Sequence, residues 1–179
     1  ATESLLKNTG YDELSLLSLS TTDHSRIVPM VEALTAKFPD LKISLPSTRV
    51  DSFSVDVANA VAKGKKHTLT LAPEAGSQRL RNAINKLVTE DDLLGAATNA
   101  FSRGWTSIKM YYMVGLPSET ISDVEGILDM GLRVKQIGRD LIGKRAKVRV
   151  STSNHVPKPH APFQWARQET ADELSPKHI

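Results

Sequence analysis

The segment Pro73-Glu74-Ala75-Gly76-Ser77 places a carboxylate, a glycine and a hydroxyl in immediate succession. At the end of a strand such a carboxylate can accept hydrogen bonds from both hydroxyls of a vicinal diol. The glycine permits a tight turn, and the serine can cap a following helix. The same residues also suit a solvated loop with Ser77 serving only as a cap, so the local pattern leaves both readings open.

A second group lies at Gly115-Leu116-Pro117-Ser118-Glu119-Thr120, a turn whose glycine lets the backbone approach a neighbour closely. In the run just before it, Lys109 and Tyr111 share one face of a strand, and Met110 and Tyr112 the other. Lys109 is expected to point inward, because apolar helices should cover the outer face. Arg49, Arg79 and Arg81 follow strand ends, where a guanidinium can grip a carboxylate bidentately or simply add surface charge. His155 and His160 flank a proline-rich stretch, but their spacing fits no tight zinc pattern. No phosphate-binding G-x-x-x-x-G-K-[ST] loop, G-x-S-x-G elbow or HExxH pair occurs in the sequence, which removes support for nucleotide hydrolysis, serine hydrolysis and zinc proteolysis.

The elements that must position these residues alternate in type. Strands are expected at Leu14 to Ser20, Lys42 to Leu45, His67 to Ala72, Ser107 to Val114 and Lys147 to Thr152. Between them, apolar residues recur at helical spacing: Ile27, Val31, Leu34 and Phe38; Val55, Ala58, Val61 and Ala62; Leu80, Ile84 and Leu87; Leu93, Leu94, Ala97, Ala100 and Phe101; and Ile121, Val124, Leu128 and Leu132. Thr89 reads as a helix cap, Gly104 as a stop, and the residues from Thr170 as a last polar helix. Strands that alternate with helices pair in parallel through crossovers, giving an open α/β sheet or a closed or partial barrel. Both place function in the loops at the carboxyl ends of the strands, where the unusual glycine, proline and polar residues fall.

Composition bounds the rest. The chain has 179 residues, 40% of them hydrophobic and 24% charged, enough for one domain with a substantial core. It has no cysteine, so no disulfide or thiolate metal site can form within it. No apolar run is long enough to cross a bilayer, and no leader pattern opens the chain, so a cytoplasmic protein without membrane association is expected. The 23 basic and 20 acidic residues are scattered, which favours general solubility over a concentrated nucleic-acid footprint, although RNA stays open as a partner.

Taken in order, SLLSLSTTD, SLPSTRVDSF, LTLAPEAGSQRLRNAINK, SIKMYYMVGLPSET and VPKPHAPFQW resemble the strand ends of radical S-adenosylmethionine (SAM) enzymes. The likeness is greatest to the branch with cobalamin domains and to the methylthiotransferases. It implies an α/β fold: a partial TIM-type barrel of five parallel strands alternating with helices, strands 2 to 6 of a (β/α)6 barrel. Residues 1–179 would then form a radical SAM core domain lacking its first strand and the CxxxCxxC loop that holds a [4Fe–4S] cluster.

The resemblance also assigns residues. Ser18, Ser20 and Thr21 would lie where the methionine amino group of SAM is held, with hydroxyls in place of the usual glycine-glycine-glutamate. Glu74 would receive the ribose hydroxyls, and Arg81 or Arg49 would pair with the SAM carboxylate. Met113, Val114 and Gly115 would pack on adenine, and His155, Val156 and Pro157 would contact the base mainly through backbone. The cofactors implied are SAM, a [4Fe–4S] cluster in the longer protein only, and cobalamin through a separate upstream domain. The substrate is unspecified, this stretch alone is expected to be inactive, and an unpaired sheet edge suggests self-association. Two other readings explain the same loops: a non-catalytic α/β module that binds a nucleoside or a protein, and a barrel enzyme using Glu74 and Lys109 as acid and base.

Overall fold

The computed structural model describes residues 1–16, 24–44 and 68–177. Within them lie five strands: β1 (Glu13–Ser15), β2 (Lys42–Ser44), β3 (Thr68–Glu74), β4 (Ser107–Val114) and β5 (Lys147–Asn154). The helices are α1 (Thr2–Thr9), α2 (Ile27–Lys37), α3 (Gln78–Ala83), α4 (Glu90–Ser102), α5 (Ile121–Ile142) and α6 (Ala171–Leu174). Each expected strand is present in whole or in part. The helix expected around Val55 to Ala62 lies outside the described residues.

Every pairing is parallel. β1 and β2 form a two-stranded sheet joined through α2, and β3-β4-β5 form a three-stranded sheet in that order. The expected array of five parallel strands is thus seen only in part: among the described residues the strands are parallel but fall into two separate sheets.

One face of the three-stranded sheet is the main core. Ile108, Met110, Tyr112 and Val114 alternate along β4 toward the helices and join Leu69 and Leu71 of β3. Against them pack Leu93, Ala97, Ala100 and Phe101 of α4 and Val124, Ile127, Met130 and Val134 of α5. Burying residues of this size contributes roughly 1.5–3 kcal/mol each before conformational entropy is charged. Small residues set the spacing: a side chain at Gly138 of α5 would meet Phe101 of α4 at 2.8 Å. Both long helices thus cover one face, and the residues of opposite parity, Lys109, Tyr111 and Met113 among them, occupy the other.

Helix ends follow local chemistry. Thr89 and Asp92 form a reciprocal capping box at the start of α4, and Thr170 and Glu173 form another at α6. The face expected over Leu80, Ile84 and Leu87 is shorter than its periodicity implies. α3 stops at Ala83, Asn85 adopts a left-handed φ of 56°, and Leu87 is exposed. Among the described residues, no helix is long and apolar enough to cross a membrane.

Candidate functional site

Glu74 closes β3 at an irregularity in the ladder. Leu71 registers with Met110, but Glu74 registers with Tyr112, so the strand carries a bulge before its end. Glu74 itself has φ 70°, a conformation that costs a residue with a Cβ about 1–2 kcal/mol and is retained where surrounding structure imposes it. Its half-buried carboxylate is paired with the Lys86 ammonium at 3.4 Å.

The loop after Glu74 is fixed from beneath. Gly76 presses on the first turns of α5 so closely that a Cβ there would lie 2.1 Å from the Asp123 carbonyl oxygen and 2.6 Å from the Ile127 nitrogen. Gly126 of α5 completes the contact, since a Cβ on it would meet the Gly76 backbone at 3.1 Å. Ser77 caps α3 by accepting from the Leu80 N–H at 3.1 Å, and its hydroxyl donates to the Asp123 carboxylate.

Asp123 links the two loops. It accepts from Ser77, from the Arg79 guanidinium, and from the Thr120 N–H and hydroxyl, the latter two at 2.7 Å. Burial pushes this carboxyl up, but those hydrogen bonds outweigh burial and hold it below the usual aspartate range. Arg79 also donates to the Ser118 carbonyl at 2.9 Å, so it ties the loop after β3 to the loop after β4. The sequence reading missed Asp123, although the Thr120-x-x-Asp123 spacing is a capping-box signal.

Arg81, expected as a partner for the SAM carboxylate, has a different place. It is 1% exposed. It donates to the Val88, Ala75 and Gly76 carbonyls at 3.0, 3.0 and 3.1 Å and to the Gln78 side-chain oxygen at 3.2 Å. Burial lowers the pKa of the guanidinium, while the nearby Tyr112 phenol opposes that shift. Arg81 braces the Glu74 loop rather than facing outward from it. Arg49, Ser18, Ser20 and Thr21 lie outside the described residues.

The ends of β4 and β5 stand beside β3. Val114 registers with Asn154, and the His155 N–H donates to the Val114 carbonyl at 2.8 Å. Val114 faces the helical core, whereas Met113 packs with Ala75, Leu80 and Leu116 on the other side. Gly115 has φ 79° and donates its N–H to Glu119 at 2.8 Å. A Cβ on Gly115 would meet Leu174 at 2.9 Å, so the close approach that this glycine permits is made by the segment around α6. Lys177 completes that contact by bridging buried Glu119 and Glu169 at 2.8 and 2.7 Å. His155 is buried edge-on to Phe163, with its Nδ1 lacking a partner among the described residues. Val156 is exposed and Pro157 half-buried.

Lys109 lies on the face away from the helices, as its alternation with Met110 implies. Its ammonium contacts the Tyr111 hydroxyl and sits 4.4 Å from the ring centroid. Glu74 pairs with Lys86 and Lys109 with Tyr111, so the described contacts do not join Glu74 and Lys109 as an acid–base pair. No group of three or more metal-ligating side chains forms among the described residues.

The assembled rim holds a carboxylate on strained backbone, a buried imidazole nitrogen without a partner among the described residues and a backbone turn, all at the carboxyl ends of parallel strands. The family model described as the radical SAM superfamily matches residues 2–131. A protein of Methanocaldococcus jannaschii described as uncharacterized is 33% identical over 168 residues, covering 94% of this chain and 35% of that protein. The chain thus spans about a third of the length of that relative.

Proposed function

The chain belongs to the radical SAM superfamily, and from that premise we propose that its strand ends bind SAM within a longer radical SAM enzyme. The observation that carries the reading is Glu74, a carboxylate on strained, bulged backbone at the end of a parallel strand inside the matched region. The two sheets belong, in this reading, to one partial barrel, and residues 1–179 to its core domain.

The residues present fit SAM. Glu74 can accept from the ribose diol, and Met113, packed against Ala75 of the loop after Glu74, offers an apolar surface for the base. Ser18, Ser20 and Thr21 would take the methionine amino group, and Arg49 the carboxylate, since Arg81 is spent on its own loop. The donor set does not fit a [4Fe–4S] cluster. The chain has no cysteine, so the thiolates come from residues outside it, and no step through a cluster is assigned to these side chains. Cobalamin, in the same way, would be held by another domain.

SAM, when bound and reduced in such enzymes, supplies a carbon-centred radical that takes hydrogen from a substrate. The residues here orient the cofactor. Arg81, Ser77 and Asp123 hold the loop that fixes the Glu74 carboxylate, and the packed segment at Gly115 closes the neighbouring turn.

The test is reductive cleavage of SAM by the full-length protein with its cluster in place. Glu74→Gln should lower turnover at subsaturating SAM by roughly tenfold or more, the equivalent of one charge-assisted hydrogen bond. Unchanged cleavage would remove Glu74 from the site.

A further inference from the structure

The face of the three-stranded sheet turned away from the helices carries three cations, Lys109, Lys147 and Arg149, that no carboxylate pairs among the described residues, and two of them share one row. Lys109 of β4 and Arg149 of β5 are paired across the ladder, with Thr70 of β3 completing the same row. Adjacent strands lie ~4.8 Å apart, and like charges directly opposite one another destabilise a sheet. Such a pair is usually relieved by an intervening carboxylate. Among the described residues the Lys109 ammonium has Tyr111 as its polar partner, and Arg149, which is exposed, makes no side-chain hydrogen bond or ion pair. The row before the pair holds Thr68, Ser107 and a further cation, Lys147, and the row after it holds Tyr111 and Ser151, so no carboxylate stands beside the pair on these strands.

We propose that Lys109 and Arg149 form an oxyanion-binding site that anchors a phosphate or carboxylate group of the substrate. A planar guanidinium and an ammonium at one level can grip the same oxyanion from two directions, and Thr70 and Tyr111 add hydroxyl donors. Arg149 supplies the fork, and the Tyr111 ring steadies the Lys109 ammonium. The site is distinct from the strand-end rim. Met113 is the fourth residue beyond Lys109 along β4, a rise of ~13 Å, so a ligand at the rim and an anion at the pair can be held together. Assigning the anion to the substrate rests on the SAM reading, whereas the anion site itself rests on strand register alone.

The experiment is thermal unfolding and titration calorimetry of the full chain with inorganic phosphate and, separately, with acetate. Variants Arg149→Gln and Arg149→Lys are compared, with SAM affinity measured in parallel. At a hundredfold excess over Kd the native midpoint should rise by at least ~5 °C with the preferred anion. Arg149→Gln should unfold at the same temperature or higher without anion, because repulsion is relieved, but should lose most of the anion-induced rise. Arg149→Lys should keep part of it. The stronger of the phosphate and acetate arms identifies the substrate's anionic group.

Absence of binding in both arms, or equal binding in all variants, would overturn the proposal. So would displacement of SAM by the anion, which would make the pair a site for the SAM carboxylate. Anion binding that depends on Arg149, in a protein that does not bind SAM, would sustain the site and overturn the SAM reading instead.

Discussion

Replacing Gly76 by alanine probes the docking on which the Glu74 loop depends. The added methyl would lie 2.1 Å from the Asp123 carbonyl oxygen, 2.6 Å from the Ile127 nitrogen and 2.8 Å from Ile127 Cγ1. Two of these three atoms are helix backbone, so no rotamer change relieves the clash. Gly76 does not adopt a positive φ, so the cost is steric rather than conformational. Overpacking costs typically 1–3 kcal/mol, and immobile backbone contacts argue for about 3. In a domain of this size that corresponds to a fall of roughly 6–12 °C in the unfolding midpoint, read by calorimetry or circular dichroism. Gly95→Ala is the matched control. It lies inside α4 with nothing within 4 Å of its Cβ, so alanine should stabilise by about 0.5–1 kcal/mol. A Gly76→Ala protein as stable as the native one would refute the packing of this loop on α5.

Three further outcomes follow from the same geometry. Glu74→Gly removes a left-handed penalty of about 1–2 kcal/mol against the loss of one partly exposed ion pair, so its unfolding midpoint should match or exceed the native value; a clear fall would mean that Glu74 is not strained. Arg81→Ala leaves the Ala75, Gly76 and Val88 carbonyls without their donor and should cost about 3 kcal/mol in urea unfolding, whereas a ligand-facing arginine would leave stability unchanged and lower affinity only. Because the Asp123 pKa is depressed in the folded chain, its contribution is complete above the ordinary aspartate value of about 3.9 and is lost as pH falls below it; Asp123→Asn should flatten that acid limb, and an unchanged limb would refute the account.

The fold was legible where the pattern is local. Alternation along Ser107–Val114 marks β4 and also tells which side Lys109 takes, because Ile108, Met110 and Tyr112 must meet the helices. Thr89 and Asp92 announce the start of α4 in four residues. What stayed hidden is set by features that no local periodicity announces. α1 buries no residue, so no apolar face betrays it. Arg81 sits on a helical stretch that looks surface-exposed, and only the folding back of the chain delivers three carbonyls to its guanidinium. Likewise the residue before Leu116 is recognisable as a turn glycine, but not as a seat for Leu174, which lies 59 residues onward. Glu74 was visible as a strand-end carboxylate, whereas its left-handed backbone and its Lys86 partner were not.

The most direct test of the central claim is the affinity of the native protein and of Glu74→Gln for SAM and for an analogue lacking the ribose hydroxyls, measured by calorimetry. If Glu74 receives the diol, the native protein should prefer SAM to the analogue by roughly tenfold or more, and Glu74→Gln should lose most of that preference. Equal discrimination by the two proteins would contradict the account.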